Sequence, residues 1–273
     1  MKTLTQLSTG KTFRMGRKRP IARTPRFALK NYLMQGLPTP PASIDYSARA
    51  SNSLSQMYGN DTLGDCVIAC MGHVEGVLTA NAEAVELIVP EANIISLYSA
   101  IGGYVPGNPA TDQGCDEQTA LNYWAHHGLT NWKKAKYKIA AWLSVDGSNL
   151  AEVRAALWLF ENLMFGIELP DAWINPMPES SGFVWGQAGH PDPNNGHCVA
   201  GVGYSQGGVT IATWGMTGVM TNGAVSQYTA GSEGGELYTV LSQDAIIEAS
   251  KKAPNGFDFA QLTADLDSMG MGM

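Results

Sequence analysis

Asn60-Asp61-Thr62-Leu63-Gly64-Asp65-Cys66 is the stretch that decides the fold, because of what it leads into. Val67, Cys70, Met71, Val74, Val77 and Leu78 recur at helical spacing and predict a helix over 67–81 with one buried face. Cys66 therefore opens a helix, where unpaired N–H groups and the helix dipole favour a thiolate. Gly64 and Asp65 allow a sharp turn into that helix. The other reading of Cys66 is a buried structural cysteine. Cys70, one turn inside the helix, suits that role better. The run Gly196-His197-Cys198-Val199-Ala200-Gly201-Val202-Gly203-Tyr204 begins with a histidine 131 residues after Cys66. It reads as an apolar strand with His197 at its start. A neutral imidazole beside a thiol can take its proton and later return it to a leaving group. Asn60, six residues before Cys66, can aim its amide with the Cys66 backbone N–H at a developing oxyanion. It can equally be a turn residue beside Asp61. His73 lies roughly 10 Å along the helix axis from Cys66, too far to be the base.

The pattern around this stretch divides the chain. Residues 1–36 have no period and read as an arm, followed by the stiff Leu37-Pro38-Thr39-Pro40-Pro41. Further helices are predicted over 94–101, over 117–127 up to Gly128, and from Asn149, which has N-cap chemistry. Short, turn-bounded apolar runs at 163–169, 196–204, 208–214 and 236–241 read as strands. The expectation is an α+β fold. A helical half (37–140) carries the nucleophile helix. An antiparallel, barrel-like β half (141–250) carries the His197 strand, with a cleft between the halves. Residues 251–273 end in Met-Gly repeats and are expected to be a loose tail.

With 44% hydrophobic and 15% charged residues, the 273-residue chain can bury one large core or two packed halves without staples. The most apolar stretch, 155–169, is broken by Glu161 and Asn162, so no membrane span or membrane partner is expected. The N-terminus has no apolar signal segment. Four sparse cysteines, two of them badly placed on one helix for a bridge, point to free thiols and a reducing compartment. The expected location is cytoplasmic or virion-associated. There is no C-x-x-C pair, and His197 and Cys198 point to opposite faces of a strand, so neither a metal nor a cofactor is expected. Residues 1–44 hold nine basic and no acidic residues; the rest holds eight basic and 24 acidic. Such an arm docks to nucleic acid, to an acidic partner or to the protein's own acidic body, in a salt-sensitive way, unless it is a solubilising tail.

Taken in order, these pieces resemble the papain-like cysteine peptidases (the C1-type fold), as a divergent member, over roughly 37–241. Asp45-Tyr46 resembles the end of the family's Pro-rich opening. Asn60 to Cys66 resembles its oxyanion glutamine and nucleophile at six-residue spacing. Gly114-Cys115-Asp116 with Ala120-Leu121-Asn122-Tyr123 resembles its Gly-Cys-Asn-Gly-Gly stretch and helix. Gly196-His197 resembles its catalytic histidine strand, and Thr213-Trp214-Gly215 the end of its Asn-Ser-Trp-Gly element. The resemblance implies a thiol hydrolase acting on a peptide or protein. Cys66 would be the nucleophile, His197 base then acid, and Asn60 the oxyanion donor. Gly64, Asp65, Glu117, Thr213 and Trp214 would support the cleft. Several positions depart from the pattern. Asn60 is a methylene shorter than the glutamine, Leu63 replaces a disulfide cysteine, and Glu117-Gln118 replace the paired cleft glycines. Ala212 stands at the position of the triad asparagine, so Trp214 packing, Thr213 or a water must orient the imidazole. The alternative is a weak or inactive relative with a binding or assembly role, of phage or mobile-element origin. An amidase or acyltransferase would use the same dyad.

Overall fold

The computed structural model describes residues 2–20, 27–82, 85–130 and 136–268. The chain opens with a hairpin of β1 (Thr3–Thr5) and β2 (Thr12–Arg14), with Leu4 opposite Phe13. After β3 (Ile44–Asp45) come α1 (Ser51–Leu54), α2 (Cys66–Ala82), α3 (Glu91–Gly102) and α4 (Glu117–His127). β4 (Leu129–Thr130), β5 (Lys136–Tyr137) and β6 (Ala141–Ser144) lead to α5 (Leu150–Phe160), whose N-cap Asn149 accepts from the Ala151 and Glu152 N–H groups. Then follow β7 (Leu163–Glu168), α6 (Asp171–Ile174), β8 (Phe183–Trp185), β9 (Gly196–Ser205), β10 (Gly208–Thr213), β11 (Met216–Thr221) and α7 (Asn222–Tyr228). β12 (Glu236–Leu241), α8 (Gln243–Lys252) and α9 (Phe259–Ser268) complete the described chain.

The fold is α+β. Among the described residues, eight strands join one sheet in the order β6-β12-β7-β9-β10-β11-β8, with β3 also against β9. β7 pairs with β9 from Gly196 to Gly201, and β3 takes over at Gly203 and Tyr204. The pairs are antiparallel except β11 with β8. This path is open, so the expected barrel-like half is a long twisted sheet rather than a closed barrel.

The spacing in 67–81 predicted one buried face, but α2 is buried all round from Cys66 to Ala80. It packs on β9 and β7 and is enclosed by α1, α3 and α4. A helix apolar on every side belongs in a core. Two glycines make room for its neighbours. A Cβ at Gly72 would lie 2.9 Å from the Tyr58 ring, and one at Gly76 would lie 2.0 Å from Ser53 Oγ.

Both chain ends pack onto the body. Phe13, Met15, Phe27, Leu29 and Tyr32 are buried in the core around the sheet. The segment expected to be a loose tail instead forms the end of α8 and all of α9. Leu262 and Leu266, one turn apart, are fully buried, and Tyr32 Oη donates to Asp265 Oδ2 at 2.8 Å. An apolar pair at helical spacing inside a polar segment is enough to dock a short helix. The terminal Met-Gly repeats, 269–273, lie outside the described residues. Among the described residues, no helix is long and apolar enough to cross a membrane.

Candidate active site

α2 begins where Asp65 O accepts the N–H groups of Ile68 (2.8 Å) and Ala69 (3.0 Å). This places Cys66 at the helix start, on the side of α2 that meets β9. His197 is the second residue of β9 and is fully buried. Its ring stacks on Trp214, with centroids 4.4 Å apart and planes 23° apart. Trp214 holds φ 52°, turning the chain sharply after β10. Thr213 Oγ1 lies 2.6 Å from His197 Nε2. Ala212, where the resemblance puts an orienting asparagine, is a fully buried methyl in the core around α2. Successive strand residues face opposite ways, so Thr213 takes the place beside the ring that Ala212 leaves empty. A proton on Nε2 donated to Thr213 leaves Nδ1 with its lone pair. Nδ1 has no hydrogen-bond partner.

The arm runs directly over this site. β2 delivers Arg14, whose N–H donates to Asn60 O at 2.9 Å. Asn60 Nδ2 donates to Arg14 O at 3.0 Å and to Leu63 O at 2.9 Å. Gly16 and Arg17 each donate an N–H to Gly196 O at 3.1 Å. Cys115 N–H donates to Gly16 O at 3.1 Å, and Lys18 N–H to Cys115 O at 3.0 Å. Residues 14–18 thus lie as an extended strand between the Asn60 turn, Cys115 and the start of β9. The fit is backbone against backbone. A Cβ on Gly16 would lie 1.8 Å from Gly64 O, and one on Gly114 would lie 1.8 Å from Gly16 O. Phe13 packs against Trp214 with centroids 5.6 Å apart. The arm's charges meet acids of the body. Lys2 pairs with Asp171 at 2.9 Å, Arg14 with Asp112 at 2.5 Å, Arg17 with Glu236 at 2.6 Å, and Arg19 with Glu168.

The covering changes the chemistry of both groups. Cys66 and His197 are both shut off from solvent. Burial pushes the Cys66 thiol up to about 12, the neighbouring Asp65 adding to the rise while the Cys198 and Gly16 N–H groups oppose it. Burial lowers His197 to about 3. A helix end is worth at most about 2 kcal/mol to a thiolate, and here desolvation outweighs it. With the arm in place, burial thus favours a neutral thiol at Cys66 and a neutral imidazole at His197.

The other expected site residues separate. Gly64 donates its N–H to Asp112 Oδ1 at 3.0 Å and lines the arm's path. Asp65 is fully buried, which drives its carboxyl well above the usual range. Glu117 lies beneath Arg17, and its Oε1 accepts from Cys198 Sγ at 2.7 Å. His73 holds Ser53 O through Nδ1 at 2.9 Å, and burial lowers it to about 4, a structural role. Sequence reasoning missed Gly16, Arg17, Gly196 and Glu236 as parts of the site. The available signal was an arm of basic residues opposite an acidic body, interrupted by a glycine.

No family model matches the sequence, and no curated protein matches it. Solved structures do share the fold. Xylellain, a cysteine protease from Xylella fastidiosa, superposes with a TM-score of 0.64 at 15% identity, over 89% of this chain and 98% of its own. The digestive procathepsin L 3 of Tenebrio molitor larval midgut gives 0.56 at 15% identity, over 82% and 75%. The Carica candamarcensis cysteine protease CMS1MS2 gives 0.53 at 18% identity, over 74% and 99%. The fold of this chain is papain-like.

Proposed function

We propose that this chain, papain-like in fold, is a cysteine peptidase held latent by its own N-terminal segment. The observation that carries the reading is the polypeptide lying in the groove, with residues 14–18 hydrogen-bonded to Asn60, Cys115 and Gly196. A groove that satisfies an extended backbone suits a peptide substrate. With the segment displaced, His197 Nδ1 takes the proton of Cys66, and the thiolate attacks the scissile carbonyl. The Asn60 amide, freed of Arg14 O, and the Cys66 N–H meet the oxyanion. The imidazolium protonates the leaving amine; His197 then activates water to hydrolyse the acyl-enzyme. The test is fluorogenic peptide hydrolysis by a Gly16→Val protein, whose arm cannot sit in the groove. Turnover that Cys66→Ala and His197→Ala both abolish supports the reading; turnover unchanged in Cys66→Ala ends it.

Thr213 carries the orienting role in this mechanism. In the arm-displaced protein, Thr213→Val keeps the ring on Trp214 but removes its Nε2 partner. The expected loss in kcat/KM is about 100-fold, within the range of general acid–base effects. Thr213→Ser restores most of it. A purely structural role would instead lower Tm in both variants without that split in rate.

Ala212 favours a second reading, a binding or assembly protein without turnover, since no asparagine fixes the imidazole. A Gly16→Val protein with a fully reactive Cys66 that hydrolyses no peptide, ester or amide would establish that reading.

A further inference from the structure

Cys70 and Cys198 meet next to the Cys66–His197 site. Cys70 lies one turn along α2 from Cys66, and Cys198 follows His197 on β9, the strand on which α2 packs. Both are free thiols, buried in the core around this helix. Cys198 donates its S–H to Glu117 Oε1 at 2.7 Å, and its sulfur is hydrogen-bonded to the Cys70 side chain. Cys66, by contrast, meets Cys198 through the backbone N–H of residue 198. A cavity of about 10 Å³, the room of a single water, is lined by Cys66, Cys70 and Cys198 with His73, Thr213 and Trp214. The buried Arg17 guanidinium acts electrostatically on both Cys198 and Glu117.

We infer that Cys70 and Cys198 are a redox site, which hydrogen peroxide converts to a disulfide tying the strand of His197 to the helix of Cys66. The inference does not depend on whether the site turns over a peptide. Two sulfurs already in contact on packed elements meet the first geometric need of a bridge, side chains that point together. Room on the scale of a water favours a small neutral oxidant over a reagent the size of glutathione disulfide. Glu117 Oε1 takes the proton of Cys198, and the positive charge of Arg17 favours the thiolate left behind. That sulfur attacks one peroxide oxygen; the O–O bond breaks, and the departing hydroxide takes the proton from Glu117 to become water. Cys198 is then a sulfenic acid. The Cys70 sulfur attacks it, the S–S bond forms, the S–O bond breaks, and the hydroxide leaves as water with the Cys70 proton. Two thiols give up two electrons, and one peroxide becomes two waters. The bond closes a loop of 128 positions, which restricts the unfolded chain and so stabilises the folded one.

The test exposes the full-length protein to hydrogen peroxide, removes the oxidant with catalase, and blocks the remaining thiols with N-ethylmaleimide in urea. Cleavage at acidic residues without reductant, followed by fragment mass analysis, locates any bridge. A Cys70–Cys198 linkage is expected, with Cys66 and Cys115 still alkylated, and dithiothreitol should reverse it. The urea midpoint of the oxidised protein should rise by about 1 M, the size expected from closing a long loop. Cys70→Ala and Cys198→Ser should each abolish both the linkage and the shift, while Cys115→Ala leaves them in place. Unreacted thiols at 70 and 198, a bridge that uses Cys66 or Cys115 instead, or a midpoint shift that persists in Cys198→Ser overturns the inference. So does a Cys70–Cys198 linkage that lowers the midpoint, since the folded geometry would then resist the bond.

Discussion

Replacing Gly16 with valine is expected to raise the alkylation rate of Cys66 at pH 7 by about 100-fold. A Cβ at this position would lie 1.8 Å from Gly64 O, a backbone atom that cannot step aside, so the arm must leave the groove. Burial, first among the causes, holds the thiol up at about 12. Returned to water, it falls back toward about 8.5, which raises the thiolate fraction about 10³-fold. The more acidic thiol is a weaker nucleophile, with a Brønsted slope of about 0.4–0.5, and this removes about one and a half of those orders. Access through the opened groove adds to what remains. Iodoacetamide labelling followed by peptide mass mapping reads the rate, and a urea midpoint near that of the parent shows that the body is intact. A rate unchanged from the parent would mean that the arm is not what shields the thiol.

Alkaline lability should be equally large. Cys66, Cys115 and Cys198 are all buried, and burial is the first cause pushing each thiol up. An unfolded cysteine ionises near 8.5. The folded state therefore keeps protons that the unfolded state loses. The stability this contributes is complete below about pH 8.5 and is lost as pH rises, through about 12 for Cys66. Cys66 costs about 1.4 kcal/mol per pH unit in that window, and Cys115 and Cys198 act in the same direction. Between pH 8.5 and 10 Cys66 alone loses about 2 kcal/mol, a substantial share of the stability of many domains. Tyr98 and Tyr238, also raised chiefly by burial, steepen the fall above pH 10. Urea midpoints under reductant at pH 7.5 and 10 measure it. The triple alanine variant at 66, 115 and 198 should show a smaller slope, by at least the one proton of Cys66. Identical slopes in the two proteins would contradict the assignment.

The parts of the site that follow from local rules were legible in the sequence. Cys66 could be placed at a helix start because apolar spacing after it is strong, and His197 at a strand start because the largely apolar run 197–204 follows a glycine. The full burial of α2 was hidden, since a one-sided pattern in sequence does not show what packs on the polar-looking side. Thr213 was one of three candidates the sequence offered beside position 212, with Trp214 packing and a water, and the sequence could not choose among them: which residue reaches the ring depends on the sheet face it occupies and on the turn at Trp214. The Arg17–Glu236 pair spans 219 residues and leaves no periodic trace. Glu117 was visible as a departure in the cleft, but its partner was not. The arm's charge was legible as a docking signal; its path over the thiol depends on the backbone fit of Gly16 to Gly64 and Gly114.

Phe27, Leu29 and Tyr32 anchor the chain soon after the segment that fills the groove. The segment is therefore an intramolecular ligand on a tether of a few residues, and such tethers give effective concentrations in the millimolar range. A free peptide copying residues 12–19 has to outcompete that local concentration, and so does any other ligand of the groove present at micromolar levels. Opening this molecule then depends less on how much of such a ligand surrounds it than on an event that alters the tethered strand itself: cutting it, pulling it away, or binding its basic side chains elsewhere.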